Sequence, residues 1–243
     1  GFPRRAFWQT SIPSRWCSLP PMSYIHADLI CFDNDGTLFR SEEVANPAIQ
    51  RTFRRFVEER GIDAEVPTDA RILELTGQPG PVFYREILPR PVQHLAEEFR
   101  SLCIDEEVVE VLERGRFFEG IPELLGGLKA RGKKLALVTN GGARYIGAVA
   151  ERLRYAEILD AIYHFGKDGL ATKAEMIDRA RRELGAREIV MVGDRSSDVE
   201  GARGAGVPCI LCRYGFGGED ESAGADTVVD SVEQLHSLLL GEH

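Results

Sequence analysis

The run DLICFD at residues 28–33 is apolar and bounded by polar residues, the pattern of a strand buried on both faces of a sheet. No comparable strand follows before residue 133. Between residues 42 and 115 apolar positions recur with helical spacing instead. In NPAIQRTFRRFVEERG, Ile49, Phe53, Phe56 and Val57 share one face, and Gly61 supplies a stop. Further helices are predicted around 68–75, 81–88, 92–101 and 105–113, punctuated by TGQPGP and LPRP.

From Gly120 the rhythm becomes helix, strand, helix, strand. Strands are predicted at 133–139, 161–165, 188–194, 207–212 and 226–230. The helices between them include TKAEMIDRARRELG, opened by a capping box from Thr172 to Glu175, and SVEQLHSLLL, with Ser231 and Gln234 as its box. Such alternation predicts an α/β fold, a doubly wound, Rossmann-like parallel sheet with helices on both faces. An all-helical insertion separates the first strand from the others and would stand over its end as a cap.

Composition changes this picture little. Of 243 residues 43% are hydrophobic, ordinary for a globular chain with a sizeable core. A net charge of −9 argues against nucleic acid or an anionic membrane surface as partner, and no apolar run approaches a membrane span. The five cysteines, Cys17, Cys31, Cys103, Cys209 and Cys212, are scattered and unlike a secreted disulfide framework. Cys209 and Cys212 have C-x-x-C spacing but lie in an apolar strand without a second pair, so they read as structural. A reducing, cytoplasmic setting is the expectation. Residues 1–21 carry three arginines and no acid and precede Met22, which fits a leader or, alternatively, an organellar transit segment.

The chemistry gathers at strand ends, where open parallel sheets bind ligands. The first strand ends in Asp33 with Asp35 just beyond, the second in Thr139 and Asn140, and the fourth in Gly193 and Asp194, with Asp198 one helical turn on. Clustered carboxylates are costly without a cation or shared protons, and oxygen-only ligands select a hard metal such as Mg²⁺. Lys173, in the first turn of its helix, suits an anion; Lys167 competes for that role. A calcium loop is the other reading of D-x-D-G, but cysteine at its first ligand position and a preceding strand are both wrong for it. Carboxylates, a hard cation, a hydroxyl and a lysine together describe phosphoryl transfer.

In order and context DNDGT, VTN, TKAEMI and GDRSSD resemble the four motifs of haloacid dehalogenase-like phosphatases, with the closest look to the phosphoglycolate phosphatase and β-phosphoglucomutase branch. That resemblance implies a core from residues 22–40 plus 115–243 and a helical cap at 41–114. It also implies the roles. Asp33 is the nucleophile that becomes an aspartyl-phosphate, and Asp35 the general acid and base. Mg²⁺ is held by Asp33, Asp194 and the Asp35 backbone carbonyl, with Asp198 supporting the metal or orienting Lys173. Thr139, Asn140 and Lys173 take the phosphoryl oxygens. The aspartate at position 35 favours a phosphate ester, whose poor leaving group needs an acid.

The implied substrate is a small phosphorylated metabolite such as phosphoglycolate or a sugar phosphate, with a phosphomutase or a non-catalytic phosphate binder as alternatives, and the molecule a monomer or homodimer. Two departures stand out. Asn34 replaces an aliphatic residue between the aspartates, and FRSEE follows DGTL where relatives turn acidic sooner. Glu42, and Gly77 with Gln78 in the cap turn LTGQPG, are the candidate substrate-specificity positions; the cap arginines Arg51, Arg54 and Arg55 read as a solvated helix face.

Overall fold

The structure, a computed structural model, describes residues 24–241, so the leader expected at 1–21 lies outside the described residues. The chain enters through strand β1 (Leu29–Phe32) and then builds helices α1 (Ala45–Arg60), α2 (Asp69–Leu75), α3 (Gly80–Ile87) and α4 (Ala96–Arg114). It continues through α5 (Ile121–Ala130), β2 (Lys134–Thr139), α6 (Ala143–Arg152), α7 (Tyr155–Ile158) and β3 (Ala161–His164). The last part is α8 (Lys173–Leu184), β4 (Ile189–Gly193), α9 (Ser196–Ala205), β5 (Cys209–Cys212), β6 (Thr227–Val229) and α10 (Val232–Leu240).

All six strands are parallel in the order β3-β2-β1-β4-β5-β6. Alternate residues of β1 face opposite cores. Ile30 and Phe32 pack with α5, α6 and α10, while Leu29 and Cys31 pack with α8 and α9. Helices therefore cover both faces, as the continuous apolar runs require. The order reverses between β1 and β4, which makes the crevice beyond their carboxyl ends the natural ligand site. Cys209 and Cys212 belong to different faces of β5, so they cannot share a metal.

Helices α1–α4 carry a core of their own, built from Ile49, Phe53, Phe56, Ile72, Phe83 and Phe99 and their neighbours. Phe99 meets Phe53 and Phe56 edge-on at centroid distances of 5.9 and 5.2 Å. The strands of chain entering and leaving this helical body run side by side. Phe39 bridges Phe117, and Arg40 N–H donates to the Arg116 carbonyl at 3.2 Å.

Three local expectations change. The helices expected at 92–101 and 105–113 are one helix, α4, preceded by a 3₁₀ stretch over Arg90–Leu95. No glycine or proline interrupts 96–114, and Phe99, Cys103, Glu107 and Val111 lie four apart on one buried face. At α10 the Ser231 side chain accepts from the Gln234 N–H, but Gln234 reaches back to the Asp230 N–H instead of completing the box on Ser231. The sequence GGARYIGAVAERLR predicts a helix over 141–154, but α6 stops at Arg152, and Arg154 turns the chain with φ 56° into the short α7. The Thr172–Glu175 box at α8 is present in both halves. Among the described residues no helix is long and apolar enough to cross a membrane.

Candidate active site

Register places the chemistry. Phe32 lies beside Leu137 of β2 and Val192 of β4, so the residues after Phe32, Val138 and Val192 emerge together at one sheet edge. Asp33 N–H donates to the Val192 carbonyl at 2.9 Å, which fixes Asp33 against the end of β4. The chain then turns sharply. Thr37, Leu38 and Phe39 N–H groups converge on the Asn34 carbonyl, and Gly36 has φ 79°. A Cβ on Gly36 would lie 2.2 Å from Asp194 Oδ2, so conformation and close approach both demand glycine.

Asp33, Asp194 and Asp198 are buried, and each has a carboxylate oxygen within 4.8 Å of the others. Lys173, buried at the start of α8, places Nζ 3.1 Å from Asp33 Oδ1 and 2.5 Å from Asp198 Oδ1. Gly201 permits this, because a Cβ there would sit 2.6 Å from the Lys173 Cβ and push α9 off α8. Burial alone would push the lysine pKa down, but Asp198 and Asp33 outweigh it and hold the ammonium above its ordinary range. Lys167, the competing lysine, turns instead to the Ile162 carbonyl at 2.5 Å.

Three carboxylates against one ammonium leave negative charge uncompensated. Burial, then repulsion from Asp33 and Asp198, drives Asp194 well above the carboxylate range. Burial and Asp33 raise Asp198 to about 6 despite Lys173. Asp194 accepts from the Phe216 N–H at 2.7 Å and the Thr37 hydroxyl at 3.3 Å. Asp198 spends both oxygens on protein, one on Lys173 and one on the Arg195 N–H at 3.0 Å. The all-oxygen donor set, buried and short of positive charge, fits a hard divalent cation.

Asp35 stands apart from this cluster. Its side chain accepts from the Tyr145 hydroxyl at 2.6 Å. Burial raises its carboxyl to about 6, and the Asp33 charge adds to that, while the hydrogen bond from Tyr145 works the other way. A carboxyl at that level can both give and take a proton near neutrality. Asn34 is buried and accepts from the Tyr155 hydroxyl at 2.8 Å, anchoring the loop from behind.

Asp33, Asp35, Thr139, Asn140 and Lys173 all line one cavity of about 320 Å³. Thr139 Oγ1 accepts from the Gly141 N–H at 3.1 Å. Asn140 Nδ2 donates to the Gly77 carbonyl at 2.8 Å, so this amide holds the cap turn to the core and has one donor fewer for a ligand. Gly77 and Gln78 line the cavity, and so does Ser41. Glu42 does not; one oxygen pairs with Arg40 at 3.1 Å and the other is buried with no hydrogen-bond partner among the described residues. Of the cap arginines, Arg51 and Arg55 pair with Glu110 and Glu106 on the exposed face.

The sequence did not single out four residues of the site. Tyr145 reaches Asp35 from α6, and Tyr84 and Glu107 enter the cavity from α3 and α4. Arg195, next to Asp194, donates to the Leu73 and Glu74 carbonyls at 3.0 Å each and so grips the last turn of α2. Only a position just after a motif aspartate could have drawn attention to Arg195.

A 5'-nucleotidase of Pseudomonas aeruginosa is 33% identical over 202 residues, covering 79% of this chain and 85% of that protein. A phosphoglycolate phosphatase of Chromobacterium violaceum is 29% identical over 240 residues, 90% of this chain and 99% of its own. The crystal structure of a predicted phosphatase from Clostridium acetobutylicum superimposes with a TM-score of 0.74 at 28% identity, over 89% of this chain and 99% of that one. Residues 27–206 match the family model of haloacid dehalogenase-like hydrolases. With its aspartates at adjacent strand ends and its helices inserted after the first of them, the chain belongs to the haloacid dehalogenase-like hydrolase family and is a phosphoric monoester hydrolase within it.

Proposed function

We propose that the chain is a Mg²⁺-dependent phosphatase of small phosphorylated metabolites that works through an aspartyl-phosphate on Asp33. The observation that carries this reading is the division of labour between the two aspartates. Asp33 lies in the buried carboxylate cluster beside Lys173, whereas Asp35 is turned to Tyr145 with its carboxyl raised to about 6.

In this reading an Asp33 oxygen attacks phosphorus, and the bond from phosphorus to the leaving alkoxide breaks as Asp35 delivers its proton to that oxygen. Water then attacks phosphorus of the acyl phosphate, Asp35 takes the water's proton, and Asp33 is released with inorganic phosphate. Lys173 and Thr139 line the cavity beside Asp33, where the non-bridging oxygens must lie. Asp33, Asp194 and, through its backbone carbonyl, Asp35 would hold Mg²⁺, with Asp198 behind. Such an ion would supply neutralisation of the negative charge gathered there.

Hydrolysis of p-nitrophenyl phosphate should depend on Mg²⁺, disappear with a chelator and return on adding the ion. Stoichiometric phosphate release from a metabolite is expected; isomerisation of a sugar phosphate with little release would convert the assignment to a mutase. No hydrolysis of any ester by folded, Mg²⁺-supplied protein would leave only a phosphate-binding role.

Asp35 gives a sharper test. Asp35→Asn should show a p-nitrophenolate burst near one equivalent, then slow turnover, because a good leaving group needs no acid while the water step still needs a base. An alkyl phosphate should lose its first step as well, by roughly 10²–10⁴-fold. In the wild type that alkyl step should fall as pH rises through about 6, since the proton-carrying form is lost. Equal losses for both esters in the first step would remove Asp35 from the acid's role.

A further inference from the structure

The cavity continues past the aspartates into the cap, where Ile49, Ile72, Phe83 and Ile104 wall it. One polar pair interrupts those walls. Glu107, only 3% exposed, takes both its hydrogen bonds from a single donor, with Tyr84 Oη 2.9 and 3.0 Å from its two carboxylate oxygens. Both residues line the cavity, and Glu107 is close enough to Asp35 to feel its charge. A buried carboxyl is costly unless it is well partnered, and one shared hydroxyl leaves most of its lone pairs free. Burial against the apolar walls pushes its carboxyl up to about 8; Tyr84 opposes this and Asp35 adds to it. A mostly protonated carboxyl both gives and accepts one hydrogen bond, as an alcohol does.

Resting on the phosphatase reading above, we infer that Glu107, held by Tyr84, is the specificity-determining group that receives a hydroxyl of an uncharged, ring-bearing leaving alcohol and disfavours leaving groups that carry a carboxylate. The leaving oxygen must lie beside Asp35, so the rest of the leaving group extends along the cavity toward α4. There it meets apolar surface on the walls and the Glu107–Tyr84 pair at a point. A hydroxylated sugar ring, free or as part of a nucleoside, presents an apolar face and hydroxyl edges that match both. A carboxylate would be desolvated beside an acid. The two cations lining the cavity are already engaged, Lys173 with Asp33 and Asp198, and Arg100 with Glu97 at 2.9 and 2.5 Å.

The test uses the Mg²⁺-loaded enzyme with p-nitrophenyl phosphate as reference, ribose 5-phosphate and glucose 6-phosphate as one arm, nucleoside 5'-monophosphates as a second and phosphoglycolate as a third. Wild-type kcat/KM should favour a ring arm over phosphoglycolate by roughly 100-fold, the size expected when a buried polar group is left unmatched. Whichever ring arm leads names the source of the ring. Glu107→Leu, which takes away both the donor and the acceptor, should shrink the ratio of ring ester to phosphoglycolate at least ~10-fold, chiefly through KM of the ring ester, and Tyr84→Phe should move it the same way. If either variant fails to fold, the wild-type ratio still decides. Phosphoglycolate equal to or ahead of both ring arms, as Arg100 in control of the leaving group would give, overturns this inference alone. So does a folded Glu107→Leu with an unchanged ratio. No hydrolysis in any arm, the reference included, removes the phosphatase reading and takes this inference with it.

Discussion

Asp33→Asn should abolish phosphatase activity, by at least ~10⁴-fold in kcat, while the metal-free protein stays folded and melts no lower than the wild type. The amide is nearly isosteric, so the strand end and the hydrogen bond from Asp33 N–H to Val192 are untouched. It cannot attack phosphorus. It also removes one of three buried carboxylates that repel one another, and Asp194 should relax toward its ordinary range because Asp33 is the largest charge raising it. Lys173 keeps Asp198 as a partner at 2.5 Å. Function and stability therefore move in opposite directions, as expected where a site stores unfavourable electrostatics for chemistry. Thermal melts with and without Mg²⁺ beside a p-nitrophenyl phosphate assay check both halves. Wild-type turnover in Asp33→Asn would end the nucleophile assignment.

Lys173→Met should damage both properties at once. Its ammonium is the one cation in contact with Asp33 and Asp198 among the described residues, and the group is 3% exposed. Removing one partner of a buried ionic cluster typically costs about 3–5 kcal/mol, which for a chain of this size lowers the melting temperature by roughly 6–20 °C. The loss should shrink as pH falls toward about 6, beginning above that value because Asp198 without Lys173 is raised further. Asp198 has a raised folded-state pKa, so protonating it on acidification favours the folded state, and the repulsion Lys173 used to offset disappears. Activity should fall by about 10²–10³-fold even where the protein is folded, the usual loss for one charge-stabilising donor. An unchanged melting temperature at pH 8 would mean that water, and not Lys173, solvates these carboxylates.

How much of this was readable before the structure follows from the range of each interaction. The β1 run, its two aspartates and the alternation after Gly120 are local patterns, and they give the parallel sheet and the strand ends directly. Lys173 was readable because Thr172 and Glu175 mark the helix start that carries it. The choice between Lys173 and Lys167 was not, since both flank the same helix and only packing of α8 against α9 brings one to the aspartates. Tyr145 looks like any aromatic on an amphipathic helix until α6 is set beside the Asp35 turn. Glu107 was not singled out: it stands in a stretch rich in acids from Asp105 to Glu110, and the break expected near it hid the continuous face that buries it. Glu42 was singled out for its place after the motif, and a local pairing with Arg40 took it elsewhere.

Arg195 ties two things that sequence motifs treat separately. Its backbone N–H anchors Asp198, its neighbour is Asp194, and its guanidinium holds the Leu73 and Glu74 carbonyls, while Asn140 holds Gly77 four residues further along the chain than Leu73. The docked lid and the aligned carboxylates are thus a single mechanical unit. A cap that swings out for ligand exchange must strip charge-assisted hydrogen bonds, at about 1.5–3 kcal/mol each, and in doing so slackens the loop that carries Asp194 and Asp198. Displacing the cap would therefore disturb the carboxylate end of the sheet as well, because Arg195 belongs to both.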